Sequence, residues 1–286
     1  MPVEHGAGPP DGPSGGIAAS PGAPDIDDAG SGRLQAGQVR AMFDRIAGVY
    51  DLMNTAMTAG LHHRWRSRAA DLARVGPGDR VLDVATGTGD LALELARRVS
   101  PGGEVIGSDF AEGMLARART KAANSRGPVR PQFEWGDALD LAYADDSFAA
   151  ATVGFGARNF SDLARGLTEM TRVVRPGGRV VVLEITTPTR PPLSLFYRIW
   201  FDRVIPVLGL GVGALSALGA RLLSREPDST IAAAYTYLPN SVKRFPPPPA
   251  LAAEMSRAGL SEITYLLLAG GIVAIHAGTV PGEPPR

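Results

Sequence analysis

The stretch Val81-Leu82-Asp83-Val84-Ala85-Thr86-Gly87-Thr88-Gly89-Asp90-Leu91-Ala92 limits what this chain can fold into more than any other. An apolar, β-branched run passes through a loop of small residues directly into a helical pattern. Small residues let a ligand approach the backbone, and the following helix start supplies N–H groups. A strand, loop and helix in this order is one unit of an alternating α/β chain. The alternation continues, with strands expected over 80–85, 104–108, 131–135, 149–155 and 179–185 and amphipathic helices starting near Asp90, Glu112 and Ser161. The third of these helices is expected to stop at Arg175-Pro176-Gly177-Gly178, where proline and glycine break the pattern ahead of a Val-rich strand. A helix over 250–258 and two apolar runs, 263–268 and 271–276, follow. Their link, Ala269-Gly270, is short enough to imply an antiparallel hairpin.

These elements add up to an α/β fold, a mainly parallel seven-stranded sheet with a C-terminal antiparallel hairpin. That is the arrangement of the Rossmann-like class I methyltransferases rather than of dinucleotide dehydrogenases, although a fold by itself does not assign chemistry. Two regions lie outside the alternation: a helical cap over 38–76 and a long insertion over 186–249. Ligands of doubly wound sheets bind beyond the carboxyl ends of the strands, where both regions can fold over them. Residues 1–37 are dominated by Gly, Pro, Ala, Ser and Asp and read as a disordered tail ahead of one domain over 38–286. Val3-Glu4-His5 followed by Gly and Pro offers neither the basic start nor the apolar run of a signal peptide.

Of the 286 residues, 29 are Lys or Arg and 29 are Asp or Glu, so no charge excess calls for nucleic acid. There is no cysteine, which excludes disulfide scaffolds and thiolate chemistry and suits a cytoplasmic setting. The four histidines, His5, His62, His63 and His276, do not form a zinc motif, and no metal is expected.

The loop also narrows the ligand. A dinucleotide fingerprint would read G-x-G-x-x-G, whereas this one reads Ala-Thr-Gly-Thr-Gly-Asp, with an acid at the helix start. Asp83 and Asp90 are expected to repel a phosphate but to suit the ammonium of a sulfonium amino acid, which points to S-adenosylmethionine. Asp109, about 20 residues after the loop at the end of the second strand, can accept both ribose hydroxyls. Gly136-Asp137-Ala138 ends the third strand and can meet the adenine edge, and Gly154 to Gly156 closes the fourth with little bulk. Gly87, Thr88, Asp109, Asp137 and Ala138 are the expected cofactor contacts.

Several segments resemble the C-methyltransferase family of menaquinone and ubiquinone biosynthesis. They are Met42-Phe43-Asp44, Val49-Tyr50-Asp51-Leu52-Met53-Asn54, Gly154-Phe155-Gly156-Ala157-Arg158-Asn159, Tyr235-Thr236-Tyr237-Leu238-Pro239-Asn240-Ser241-Val242 and Gly270-Gly271-Ile272-Val273-Ala274-Ile275-His276. The family carries Ser at the position of Gly154 and Leu at that of Ala157, so a hydroxyl contact to the cofactor is absent here and a reshaped quinol side is expected. The resemblance places cofactor contacts on Thr88, Asp109, Asp137 and Ala138. It implies C-methylation of a reduced, polyprenylated naphthoquinol, demethylmenaquinol, with a ubiquinone precursor or another small aromatic as the alternative acceptor. A different class, a catalytically silent cofactor-binding protein, is disfavoured by the intact Arg158-Asn159 pair.

Within that chemistry Arg158 is suited to hold an oxyanion or an ordered water, Asn159 to orient the same water or the second ring oxygen, and Tyr50 and Asp51 to close over the methyl donor. Arg158 could instead pair with Asp162. His63 is a conceivable base by pKa, yet His62 and His63 read more simply as surface residues of a helix with Arg64 and Arg66, and His276 as structural. The segment 193–205 mixes Phe196, Tyr197, Ile199, Trp200 and Phe201 with charged residues, ahead of an uncharged run over 204–220. Its glycines and its length argue against a membrane span. An apolar groove, a buried cap helix or peripheral contact with the inner face of the membrane all suit it, and homo-oligomerisation stays open.

Overall fold

The computed structural model describes residues 35–48, 50–189, 191, 193–199, 203, 207 and 230–282. The expected tail lies outside these, except for 35–37, which already belong to the first helix and its cap. The uncharged run over 204–220 lies outside them too, apart from the single residue 207.

Three helices come first: α1 (Ala36–Ile46), α2 (Tyr50–Thr58) and α3 (Leu61–Leu72). The chain then alternates through β1 (Arg80–Val84), α4 (Asp90–Arg98), β2 (Glu104–Asp109), α5 (Glu112–Ala123), β3 (Gln132–Trp135), β4 (Phe148–Gly154), a short 3₁₀ turn (Ala157–Asn159), α6 (Leu163–Arg172) and β5 (Val174–Ile185). Helices α7 (Leu193–Ile199), α8 (Thr230–Arg244) and α9 (Pro248–Arg257) lead to β6 (Ser261–Leu268) and β7 (Val273–Thr279). The sheet has seven strands in the order β3-β2-β1-β4-β5-β7-β6. The pairings from β3 to β5 are parallel, and β7 runs antiparallel between β5 and β6. The α/β expectation and the terminal hairpin are both met.

The Val-rich runs are continuous because the central strands are covered on both faces. In β5, Val181 and Leu183 pack with Ala69, Ala70, Leu95 and Ile275, while Val180 and Val182 pack with Leu167, Met170, Leu251 and Met255. Helices α3 and α4 therefore cover one face, and α6 and α9 the other. His276, fully buried in β7, stacks on Tyr265 with ring centroids 5.1 Å apart, and its Nε2 lies 2.9 Å from the Pro248 carbonyl at the start of α9. Its role is structural.

One boundary differs from the sequence pattern. Helix α6 ends at Arg172, and Arg175-Pro176-Gly177-Gly178 lies inside β5 as a bulge, where the register to β4 shifts between Phe148 and Ala150. Gly177 adopts φ +80°, its N–H donates to the Val280 carbonyl at 2.9 Å, and the Val280 N–H donates back to Gly178 at 3.0 Å. A turn-like sequence can sit in the strand because Val280, the residue after β7, supplies these partners from about a hundred residues away.

A third packing cluster joins the cap to the second half of the chain. Val39, Met42 and Ile46 of α1 meet Met114 of α5 and Ala234 and Tyr237 of α8. This brings the N-terminal helices and the insertion together over the carboxyl ends of the strands.

Beneath them Asp83, fully buried at the end of β1, accepts hydrogen bonds from Thr86 Oγ1 at 2.6 Å and Thr152 Oγ1 at 2.7 Å. It thereby ties the loop to β1 and β4. Burial pushes its pKa up to about 6, against the pull of both hydroxyls and of Arg66. A carboxyl with a raised folded-state pKa favours the folded state increasingly as pH falls from about 6 toward its ordinary value near 4. Denaturation of the wild type and Asp83→Asn at a series of pH values tests this. The stability of the wild type relative to the variant should rise between pH 7 and pH 5 and be flat above about pH 7.5; a difference that does not change with pH would contradict a buried carboxyl titrating near 6.

Candidate functional site

The carboxyl ends of β1, β2, β3 and β4 surround a cleft of about 290 Å³. Gly87, Thr88, Asp109, Asp137, Ala138, Asn159 and Tyr50, all singled out from the sequence, line it. Arg158 does not. Its side chain is 6 % exposed and pairs with the buried Glu184.

The glycine loop owes its shape to hydrogen bonds within the protein. Thr86 N–H donates to the Ser108 carbonyl at 3.0 Å, Gly89 N–H to the Thr86 carbonyl at 3.0 Å, and Gly87 N–H to Asp109 Oδ2 at 2.8 Å. Gly89 has φ +82°, and a Cβ there would lie 2.7 Å from the Phe133 ring, so the turn requires glycine. With three of the loop's N–H groups engaged, the loop is not a phosphate cradle of the kind a pyrophosphate needs.

This changes the reason for excluding a phosphate. Asp90 is not a bare charge: Lys121 Nζ lies 2.7 Å from Oδ1 and Arg66 Nη1 lies 3.6 Å from Oδ2. Burial works to raise the pKa of Asp90, but Arg66 and Lys121 outweigh it and hold the carboxyl below its usual value. Asp83 is not a bare charge either, since both its oxygens accept hydrogen bonds, from Thr86 and Thr152. The committed amides, rather than repulsion by these acids, disfavour a dinucleotide.

Asp109 accepts from Gly87 N–H on one oxygen and from Ala111 N–H, at 2.9 Å, on the other. Burial raises its pKa above the ordinary value, opposed by these bonds. Each oxygen keeps a lone pair, enough for two vicinal hydroxyls. Asp137 is exposed; its Oδ1 accepts from Leu139 N–H at 2.9 Å, shaping the turn that also presents Ala138. Gly87 has open space where a Cβ would project. The Thr88 hydroxyl faces the cap, donating to Asp51 Oδ1 at 2.6 Å and accepting from Lys121 Nζ at 2.8 Å. Asp51 Oδ2 also lies 2.7 Å from Lys121 Nζ, so α2, which starts at Tyr50, is fastened to the loop.

The other side of the cleft is built on the 3₁₀ turn. Arg158 Nη1 donates to Glu184 Oε1 at 2.8 Å and also to the Phe155 carbonyl, and its backbone N–H donates to Glu184 Oε2 at 3.2 Å. Burial opposes the Arg158 charge, but Glu184 outweighs it and keeps the pKa above its ordinary value. The alternative pairing with Asp162 does not form, because Asp162 caps α6 by accepting from Arg165 N–H at 3.0 Å. Tyr237 Oη donates to Asn159 Oδ1 at 3.2 Å. Burial raises the Tyr237 pKa against the pull of Arg158, so the phenol keeps its proton. Ala157 is buried in the core beneath the turn and does not line the cleft, so it does not reshape that side as expected. A Cβ at Gly154 would lie 3.1 Å from Leu91, a tight fit for the family's serine.

Sequence reasoning gave no site role to Arg66, Lys121 or Glu184, and none to Tyr237 beyond its place in the segment 235–242 that carries the resemblance. Glu184 had a signal, being the one acid in β5 and directly following the apolar run Val180 to Leu183. Arg66 had a weaker one, four residues after His62 on one helix face. His62 and Arg66, read as surface residues, are instead 2 % and 5 % exposed, whereas His63 and Arg64 are exposed. His63 does not line the cleft. Burial, Arg66 and His63, in that order, push the His62 pKa down to about 4, so His62 is neutral.

The model of the ubiE/COQ5 methyltransferase family matches residues 32–280. Demethylmenaquinone methyltransferase of Thermus thermophilus is 47 % identical over 84 % of this chain and 100 % of its own length. The protein of that name from Deinococcus radiodurans is 44 % identical over 84 % of this chain and 91 % of its own length. Among solved structures, a SAM-dependent methyltransferase of Thermotoga maritima superposes with a TM-score of 0.52 at 19 % identity, covering 83 % of this chain and 97 % of that one. A putative methyltransferase of Haloferax volcanii, solved with the Trm112 activator, superposes with a TM-score of 0.55 at 16 % identity, covering 84 % and 98 %. These two likenesses bear on the fold alone. Fold, cleft and a match along nearly the whole described chain agree: this chain belongs to the ubiE/COQ5 methyltransferase family.

Proposed function

We propose that the chain transfers a methyl group from S-adenosylmethionine to a ring carbon of demethylmenaquinol, giving menaquinol. The acceptor rests on the names of the Thermus and Deinococcus relatives. The single structural observation that carries the reading is the placement of Asn159 and Tyr50 on the same cleft as Gly87 and Asp109, with the neighbouring Arg158 in a buried pair with Glu184.

The cleft residues fit the methyl donor. Asp109 can take the ribose hydroxyls, Asp137 and Ala138 flank the place for the adenine, and the open space above Gly87 admits the ribose against the backbone. Bound there, S-adenosylmethionine supplies an electrophilic methyl group on a sulfonium centre.

The chain's own groups act on the acceptor. A ring hydroxyl must lose its proton so that electron density rises at the neighbouring carbon, and the developing oxyanion needs a fixed donor. Tyr237 occupies Asn159 Oδ1, which leaves the Asn159 Nδ2 donors for the ring oxygen or a water beside it. Arg158, held by Glu184, stays charged, and its buried Nε has no hydrogen-bond partner among the described residues. It lowers the cost of the oxyanion through its charge, while Asn159, which lines the cleft, orients the water that receives the proton. Tyr50, carried by the fastened α2, covers the reacting methyl and keeps bulk water out.

The polyprenyl tail requires an apolar path. Leu195 and Ile199 of α7 are exposed apolar residues on the insertion, in keeping with a tail groove or contact with the inner face of the membrane from the cytoplasm. Among the described residues no helix is long and apolar enough to cross a membrane.

Incubation with labelled S-adenosylmethionine and a reduced demethylated naphthoquinol should place label on the ring, and the oxidised quinone should accept none. Absence of label with the reduced acceptor, while the donor binds, would overturn the acceptor assignment. A second expectation separates the two sides of the cleft. Asp109→Ala should abolish donor binding in calorimetry, whereas Arg158→Met should bind the donor within about threefold of wild type and lose about 10²-fold or more in kcat. Equal binding losses in the two variants would make Arg158 structural.

A further inference from the structure

The acids of the cleft account for a ligand's hydroxyls and cationic centres, but an amino-acid ligand also carries a carboxylate. Among the described cleft residues, only Arg40 and Arg66 bear a permanent positive charge. Arg40 is half exposed and pairs with Asp44 at 3.8 Å on its own helix. Arg66 is different. Its side chain is 7 % exposed, it reaches the cleft beside Asp83, Asp90 and the glycine loop, and its guanidinium lies 5.3 Å from the centre of the Phe155 ring.

The arrangement around Arg66 holds it in place without saturating it. Asp90 Oδ2 approaches Nη1 only to 3.6 Å, beyond hydrogen-bond distance, while the other oxygen of Asp90 is taken by Lys121 at 2.7 Å. The one hydrogen-bond contact of the guanidinium among the described residues is to His62 Nδ1. The network fixes the tautomer of that ring. Thr55 Oγ1 donates its own proton to the Asp51 carbonyl at 2.9 Å, so it accepts from His62 Nε2 at 3.2 Å, and Nδ1 is left as an acceptor for Arg66. A neutral histidine orients the guanidinium but does not balance its charge. Of the two carboxylates near this buried cation, Asp90 is shared with Lys121 and Asp83 accepts from Thr86 and Thr152, so neither is hydrogen-bonded to the guanidinium, whose planar fork can meet a ligand carboxylate with two parallel hydrogen bonds.

We propose that Arg66 recognises the α-carboxylate of the methyl donor's amino-acid moiety. The proposal rests on S-adenosylmethionine being the ligand of this cleft. It makes α3 a binding element rather than only a cover, and it makes His62 a positioning residue for Arg66.

Calorimetric titration with S-adenosylhomocysteine and with its decarboxylated counterpart, which differ only in the carboxylate, tests this. The wild type should bind S-adenosylhomocysteine at least tenfold more tightly than the decarboxylated compound. Arg66→Met should reduce that preference to threefold or less while leaving affinity for the decarboxylated compound within about threefold of wild type. Arg66→Lys, which retains a charge but not the planar fork, should keep an intermediate preference. A preference that survives in Arg66→Met, or equal losses toward both compounds, would overturn the proposal and make Arg66 a structural residue. If the wild type binds both compounds without preference, Arg66 has no such role although the cofactor reading stands. If the wild type binds neither, the cofactor reading falls and this proposal with it.

Discussion

The Lys121 ammonium is the point on which the site depends. It lies 2.7 Å from Asp51 of α2, 2.7 Å from Asp90 of α4 and 2.8 Å from the Thr88 hydroxyl of the glycine loop. One cation on α5 thus joins the cap, the loop and the helix that follows the loop. Exposed ion pairs contribute little to stability, but here the Asp90 side chain is only 16 % exposed and the contacts form a network, so removing one member leaves a partly buried charge without its partner. The network continues through Arg66, His62 and Thr55 back to the Asp51 carbonyl. The cap is therefore held over the cleft by polar contacts that include the cleft-lining residues Thr88, Asp90 and Arg66.

The opposite wall follows the same logic with different residues. Arg158 is buried against Glu184, and Asn159 is fixed by Tyr237 from α8. Methyl transfer needs both walls at once, because the donor must be held in line with a ring carbon while the ring oxygen is stabilised. The packing of α1 against α8 is what brings the two walls together: Val39 and Met42 share a cluster with Ala234 and Tyr237.

Much of this was legible in the chain. The strands announced themselves as apolar runs because both faces of the sheet are covered, and the loop and its partner acid Asp109 followed from residue type and spacing. The bulge at Pro176-Gly177 was not legible, since the partner that allows it, Val280, is remote in sequence. Charged residues were the harder class. Arg66, Lys121 and His62 are polar residues on helices, and a helical pattern with several arginines reads as a solvated face unless the opposing acids, Asp51 and Asp90, are known to meet it. Asp90 itself was read as a repulsive charge, because neutralisation by two cations is a tertiary fact. Glu184 alone stood out against its strand, and its meaning required seeing its buried pair with Arg158.

The central claim is that this cleft methylates the ring of a reduced naphthoquinol. Its most direct test is introduction of the chain into a bacterial strain that lacks this methylation step, with extraction of the quinones. The wild-type chain should restore menaquinone. Continued accumulation of demethylmenaquinone, with the chain expressed, folded and able to bind S-adenosylmethionine, would contradict it.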